Sequence, residues 1–159
     1  MTESNTELNA DSEPVDVAAA ILNREATYKE VCGLTDEEME AAYSAAYTFF
    51  QAGKYDDAEE IFQFLALFDS SQPKYWIGLG GCREAKKEFS RAADAYIVPT
   101  LVDTPEPQAP FRAAICCEAA GMKDEARNAL AIAIEWASED PTHALIKAQA
   151  ESMLEKLQN

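Results

Sequence analysis

A repeat of integer period constrains this chain more than any single motif in it. Gly53 and Gly121 stand 68 positions apart, twice 34, and Ala58, Ala92 and Ala126 follow one another at steps of 34. The recurring unit is LTDEEMEAAYSAAYTFFQAGKYDDAEEIFQFLALFD, residues 34–69. It reads as two antiparallel helices joined by a tight turn. Ala42, Ala46 and Phe49 fall on one face of the first, and Ala58, Ile61, Phe62 and Leu65 recur at the i, i+3, i+4, i+7 spacing of the second. Gly53 interrupts the pattern where a left-handed residue after a helix end is best served by having no Cβ.

A helix-turn-helix period of 34 is that of the tetratricopeptide repeat, whose consensus runs W-x2-L-G, then Gly, Ala, an aromatic and Pro. The middle copy has Trp76, Leu79 and Gly80 in that order, then Ala92 and Tyr96. Copy one supplies Gly53, Tyr55, Ala58 and Phe62; copy three supplies Gly121, Ala126, Leu130 and Ala133. A bulky side chain at Ala58, Ala92 or Ala126 would hold the paired helices apart, so these positions are read as packing sites. The expected fold is an all-α solenoid of three tandem repeats, at about 36–69, 73–103 and 107–138.

Local signals place the ends of the helices. Residues 1–13 lack apolar periodicity and read as an acidic, disordered tail. Val15, Ala18, Ala19, Leu22 and Ala26 make a stripe predicting a helix over 14–33, stopped at Gly33, that caps the first repeat or mediates dimerisation. Thr35 and Glu38 form a T-x-x-E capping box. Pro73 and Pro110 sit where a helix's first turn has no amide bond to lose, and Pro105, Pro107 and Pro110 stiffen the last connector. Pro99 is expected to kink or end its helix after Val98, and Lys87, standing where the other copies have Gly, predicts a middle turn of different shape. Asp140-Pro141 reads as the start of a C-terminal capping helix over 139–159, with Ile146, Met153, Leu154 and Leu157 on its apolar side.

Charge and composition exclude several functions. The net charge of −16 lacks the basic clusters that phosphate backbones or anionic membranes require, so neither nucleic acid nor direct membrane binding is expected. Within residues 1–40 there are eleven acids against two bases, so that N-terminal stretch carries −9 of the −16. No run approaches the roughly 20 apolar residues of a membrane span, and residues 1–12 are unlike a secretory signal; a cytoplasmic protein is expected. Cys32, Cys82, Cys116 and Cys117 show no C-x2-C pair and read as reduced packing residues. His143 has no nucleophile or metal-ligand constellation around it, and Gly78, Gly80 and Gly81 follow no strand that would make them a phosphate loop. No enzyme activity, cofactor or metal is expected.

What is left is surface. In stacked helical repeats the first helix of each pair lines the concave side. The residues free to touch a ligand there are Tyr43, Tyr47, Phe50 and Gln51 in repeat one, Ile77, Gly81, Glu84 and Ala85 in repeat two, and Phe111, Ile115, Glu118 and Ala119 in repeat three. Gly81 is expected to leave backbone uncovered midway along this groove. Two readings of the aromatics stand side by side: pockets for the apolar side chains of an extended segment, or internal packing of Tyr43, Tyr47 and Phe50 against the N-terminal helix. A clamp for a C-terminal carboxylate would need Lys, Arg and Asn in the groove, where Tyr43, Tyr47, Ile77 and Gly81 stand instead. A scaffold, or a regulator acting through a partner, is the alternative outside the peptide-binding class.

The runs AAYSAAYTFFQAGKYDDAEEIFQFLALFD, YWIGLGGCREAKKEF and PFRAAICCEAAGMKDEA closely resemble the translocator chaperones of type III secretion systems, the LcrH/SycD-like class II group, over about residues 20–136. The resemblance implies a non-enzymatic bacterial cytoplasmic chaperone that binds pore-forming translocators before export, keeps them soluble and apart, and receives an extended segment of each in its groove. Tyr43, Tyr47, Phe50 and Tyr55 match the family's aromatic groove positions in the first repeat, and Phe111 one in the third. It also implies homodimers through residues 15–33 and the first repeat. If Ala92 is a packing residue of the repeat, Ala92→Leu should lower the melting temperature by the equivalent of about 1 to 3 kcal/mol, measured by thermal denaturation.

Overall fold

A computed structural model describes residues 26–101 and 105–158 and contains, among them, eight α-helices and no strand. A short helix α1 (Tyr28–Val31) precedes three antiparallel pairs: α2 (Asp36–Gln51) with α3 (Tyr55–Phe68), α4 (Pro73–Ala85) with α5 (Phe89–Ile97), and α6 (Gln108–Ala119) with α7 (Lys123–Glu139). Helix α8 (Ala144–Gln158) packs on α7. From α2 onward each helix packs chiefly on its sequence neighbours, the one-dimensional order of a repeat stack.

The helix starts follow from caps. The Thr35 hydroxyl accepts the Glu38 N–H at 3.2 Å while the Glu38 carboxylate accepts the Thr35 N–H at 2.9 Å, and Pro73 opens α4 at its first position. A second capping box, not anticipated, alters the N-terminal segment. Thr27 is extended (φ −89°, ψ 159°) and its hydroxyl caps α1 through the Glu30 N–H. The helix expected over 14–33 is therefore interrupted before Tyr28, because a hydroxyl that binds nearby backbone competes with helix continuation. The acidic tail and the rest of that stripe lie outside the described residues. Farther along, α5 stops at Ile97 and the chain passes into a 3-10 turn (Val98–Leu101) around the buried Pro99, whose missing N–H cannot extend the helix. Asp140 accepts the Thr142 N–H at 2.8 Å but opens a 3-10 turn (Pro141–His143), and the helix itself begins at Ala144.

The turns inside the pairs are alike. Gly53 (φ 75°) and Gly121 (φ 78°) are left-handed, and the N–H groups of Gly53 and Lys54 bond back to Phe50 and Phe49 at 3.0 and 2.9 Å. The different middle turn expected from Lys87 is not found. Lys87 takes φ 62°, and the same two bonds recur from Lys87 to Glu84 and from Glu88 to Arg83, both at 2.9 Å. Closing that motif outweighs the cost, on the order of 1 kcal/mol, of a side chain in left-handed backbone.

Two apolar clusters form the core. One joins Met39, Ala46, Ala58, Phe62, Leu65, Leu79 and Cys82, and the other joins Ala92, Tyr96, Ala113, Ala126, Leu130 and Ala150. Ala58, Ala92 and Ala126 are fully buried. Trp76 is half-buried, its indole N–H donating to the Ser70 carbonyl at 3.0 Å. Helix α4 meets its neighbours almost as bare backbone: a Cβ at Gly78 would stand 2.3 Å from the Phe62 ring, and one at Gly80 2.7 Å from the Tyr96 ring. Cys82, Cys116 and Cys117 are buried, and burial pushes the Cys82 thiol to about 11 and the Cys116 thiol to about 12. Cys32, expected to pack, is exposed instead, because it follows the single turn of α1.

An ion cluster ties the first two repeats. Glu59 of α3 is buried, and its carboxylate meets Arg83 Nε at 2.9 Å, Lys86 Nζ at 2.6 Å and Arg91 Nη2 at 3.2 Å. Burial raises this carboxyl's ionisation, but the hydrogen bonds from Lys86 and Arg83 outweigh it and hold the group below its ordinary range. Two outcomes are expected in thermal melts. Lys87→Gly, which relieves the left-handed side chain, raises stability by about 1 kcal/mol. Glu59→Gln lowers it by about 1 to 3 kcal/mol at neutral pH. Because the folded-state value is depressed, Glu59's contribution is complete above the ordinary 4.5 and is lost as pH falls through the folded value, so the gap to wild type closes in acid.

Candidate functional site

The first helices of the three pairs enclose a cavity of about 440 Å³. Helix α2 contributes Tyr43, Tyr47 and Phe50, which its i, i+4, i+7 spacing places on one face. Helix α4 contributes Lys74, Ile77, Gly78 and Gly81, and α6 contributes Gln108 and Arg112. Phe62 and Tyr96, both almost fully buried, close the floor from the second helices.

The aromatic wall is fixed at both ends and open between. Tyr43 packs edge-on against Phe62 with centroids 5.9 Å apart and leans on Tyr75 at 6.0 Å. Lys74 Nζ stands 4.6 Å from the Tyr43 ring centre and is paired with Glu40. Phe50 packs edge-to-face on Tyr55 at 5.4 Å, so Tyr55 supports the wall without lining the cavity. Tyr47, between them, is 50 % exposed. An exposed phenol ring beside a preformed apolar hollow is a surface that gains by being covered.

Gly81 lines the cavity midway along it. A Cβ there would meet Phe50 at 3.6 Å and the Tyr96 hydroxyl at 3.7 Å, ordinary contacts, so the missing side chain keeps volume open rather than avoiding a clash. On the opposite wall Arg112 Nη2 pairs with Glu84 Oε2 at 2.9 Å, and the Tyr96 hydroxyl donates to that same oxygen at 2.8 Å. Burial pushes the Tyr96 phenol well above its usual ionisation, so it remains a donor.

Phe111 and Ile115 do not belong to this cavity. With Glu118 they line a second one, of about 500 Å³, whose other wall is Gln149, Ser152, Met153 and Lys156 of α8. The helical period of α6 accounts for the split, since Gln108 and Arg112 turn toward α4 while Phe111 and Ile115 turn toward α8. Gln51, Ala85 and Ala119 are exposed and line neither cavity. Sequence reasoning missed Lys74, Gln108 and Arg112. The i+4 spacings of Lys74 with Gly78 and of Gln108 with Arg112 were the signal available. As for packing by the N-terminal segment, its described part sits on α3, Tyr28 lying 6.4 Å from Phe68, and no residue of α1 lines the cavity.

No family model matches the chain. The low calcium response locus protein H of Yersinia pseudotuberculosis is 33% identical over 124 residues, 78% of this chain and 74% of that protein. The chain belongs to the LcrH/SycD family of type III secretion translocator chaperones. A chain of a T3SS complex from Aeromonas hydrophila superposes on this translocator chaperone with a TM-score of 0.83 at 31% identity, over 90% of this chain and 95% of that one. SycD of Yersinia enterocolitica, solved in complex with a peptide of the translocator YopD and separately in an alternative dimer, superposes in the peptide complex with a TM-score of 0.71 at 33% identity, over 78% and 95%. The all-α repeat fold and the absence of enzyme function are those of this chaperone family. No described helix is long and apolar enough to cross a membrane.

Proposed function

We propose that this chaperone holds an extended segment of a pore-forming translocator in the cavity between α2, α4 and α6, and so keeps that protein soluble in the bacterial cytoplasm before export. The observation that carries the reading is the aromatic wall: Tyr43 and Phe50 are locked in place by their neighbours, and Tyr47 is left half exposed over a preformed hollow. Translocators carry apolar stretches meant for a membrane, and covering a segment near them competes with aggregation. The YopD peptide bound by SycD supports a segment of this kind as the ligand.

The energetics fit a reversible holder. Three apolar side chains inserted at about 1.5 to 3 kcal/mol each give on the order of 5 to 9 kcal/mol before ordering costs. Micromolar affinity corresponds to about 8 kcal/mol, so contacts along the rest of the groove contribute as well. The acidic exterior of the net −16 chain repels anionic membrane and keeps a loaded complex apart from its neighbours.

Self-association belongs to the same reading. Tyr28, Phe64 and Leu67 are exposed on α1 and α3 without lining either cavity, and this apolar surface suits a homodimer meeting through the N-terminal region and the first repeat. Co-expression with the translocators encoded beside this chain tests the main reading: one of them is expected to become soluble in a defined complex, whereas a scaffold would leave both insoluble. Tyr47→Ala combined with Phe50→Ala is expected to weaken capture at least tenfold, by titration, with helicity in circular dichroism unchanged. Full capture by that double variant would place the site elsewhere.

A further inference from the structure

The cavity has an electrical character that its surroundings do not share. The chain carries 29 acidic and 13 basic residues, yet the charged side chains lining the cavity are two cations, Lys74 and Arg112, and no acid. The second cavity lacks this bias, since Glu118 and Lys156 both line it. Each cation is steadied by a carboxylate that stays out of the cavity wall, Glu84 for Arg112 and Glu40 for Lys74.

Arg112 is the better placed of the two to read a ligand. Its guanidinium offers five N–H donors in one plane, and Glu84 meets it through Nη2. The Tyr96 hydroxyl donates to the same Glu84 oxygen and is itself hydrogen-bonded with Arg112, so the three side chains hold one another. The Arg112 side chain stays 42 % exposed at the cavity rim. A planar guanidinium held in place at the edge of a hollow is a group suited to pairing with a carboxylate. Lys74 faces it from α4, beside the aromatic wall. Most of this acidic protein repels an acidic segment, whereas at this mouth the charged side chains of the lining are cations, each already paired with a carboxylate that an incoming one would have to share or displace.

We propose that the translocator segment captured here carries an aspartate or glutamate beside its apolar anchor, and that Arg112, assisted by Lys74, is the specificity-determining residue that reads this carboxylate. The inference rests on the peptide-capture reading above and names the class of segment it selects.

The test uses the full chain and two synthetic peptides, taken from a translocator that the chain captures and blocked at both ends. They differ only in carrying Glu or Gln beside an aliphatic anchor. By fluorescence anisotropy the Glu peptide is expected to bind about tenfold more tightly, the size of one charge-assisted contact. That preference should shrink as salt is added. Arg112→Gln is expected to abolish the preference, so that the two peptides bind alike, and Arg112→Lys to restore part of it. Equal binding of both peptides to wild type overturns the proposal, and that measurement needs no variant to fold. Equal weakening of both by Arg112→Gln also overturns it and assigns Arg112 to backbone carbonyls. A peptide with a free C-terminus that outcompetes the blocked Glu peptide overturns it in favour of chain ends. Capture of the full translocator without binding of either peptide sinks this inference alone, whereas failure to capture the translocator sinks the parent reading.

Discussion

Two aromatic rings lie against the backbone of α4 where glycines leave it bare, Phe62 over Gly78 and Tyr96 over Gly80. A methyl group at either glycine would overlap its ring, so helices α3 and α5 can both approach α4 closely only because these two side chains are missing. The same rings form the floor of the cavity between α2, α4 and α6. Stacking of the first two repeats and shaping of the cavity are thus one contact seen from two sides. The Glu59 cluster acts on the same junction in polar form, tying α3 to the end of α4 and the start of α5.

The walls above that floor differ in chemistry. Helix α2 presents rings that supply area and little charge, while α4 and α6 present Lys74, Gln108 and Arg112, which supply direction. Their partners Glu40 and Glu84 keep these cations oriented in a protein whose charge is otherwise strongly negative. On the proposed reading, an apolar anchor alone would fit the hollow in several registers, and donors at the rim would select among them.

Much of this architecture was readable in the chain because it depends on local chemistry repeated at a fixed interval. The small residues at steps of 34, the Thr35 box and the prolines each act within one turn of helix, so spacing alone located them. Lys87 misled, since a helix-ending motif can force a side chain into left-handed backbone when its hydrogen bonds are sufficient. Thr27 was missed because the apolar stripe around it disguised a second cap. At the site, the aromatic face of α2 followed from periodicity, but the sequence did not show that Phe111 and Ile115 line a second hollow, because α6 serves two neighbours with two faces. Arg112 could not be foreseen as a rim donor, because its orientation is set by Glu84 and Tyr96, which lie 28 and 16 positions away in sequence and come together only on folding.

Because each helix from α2 onward rests mainly on the one before and the one after, the described part of the chain is built less like a sphere than like a short coil. Among the described residues no substantial packing joins the first pair to the last, and in a stack of this kind small tilts at successive junctions add up along the curve. On the proposed reading, compliance of this kind would let one set of walls settle around cargoes of unequal bulk and release them by relaxing rather than by unfolding.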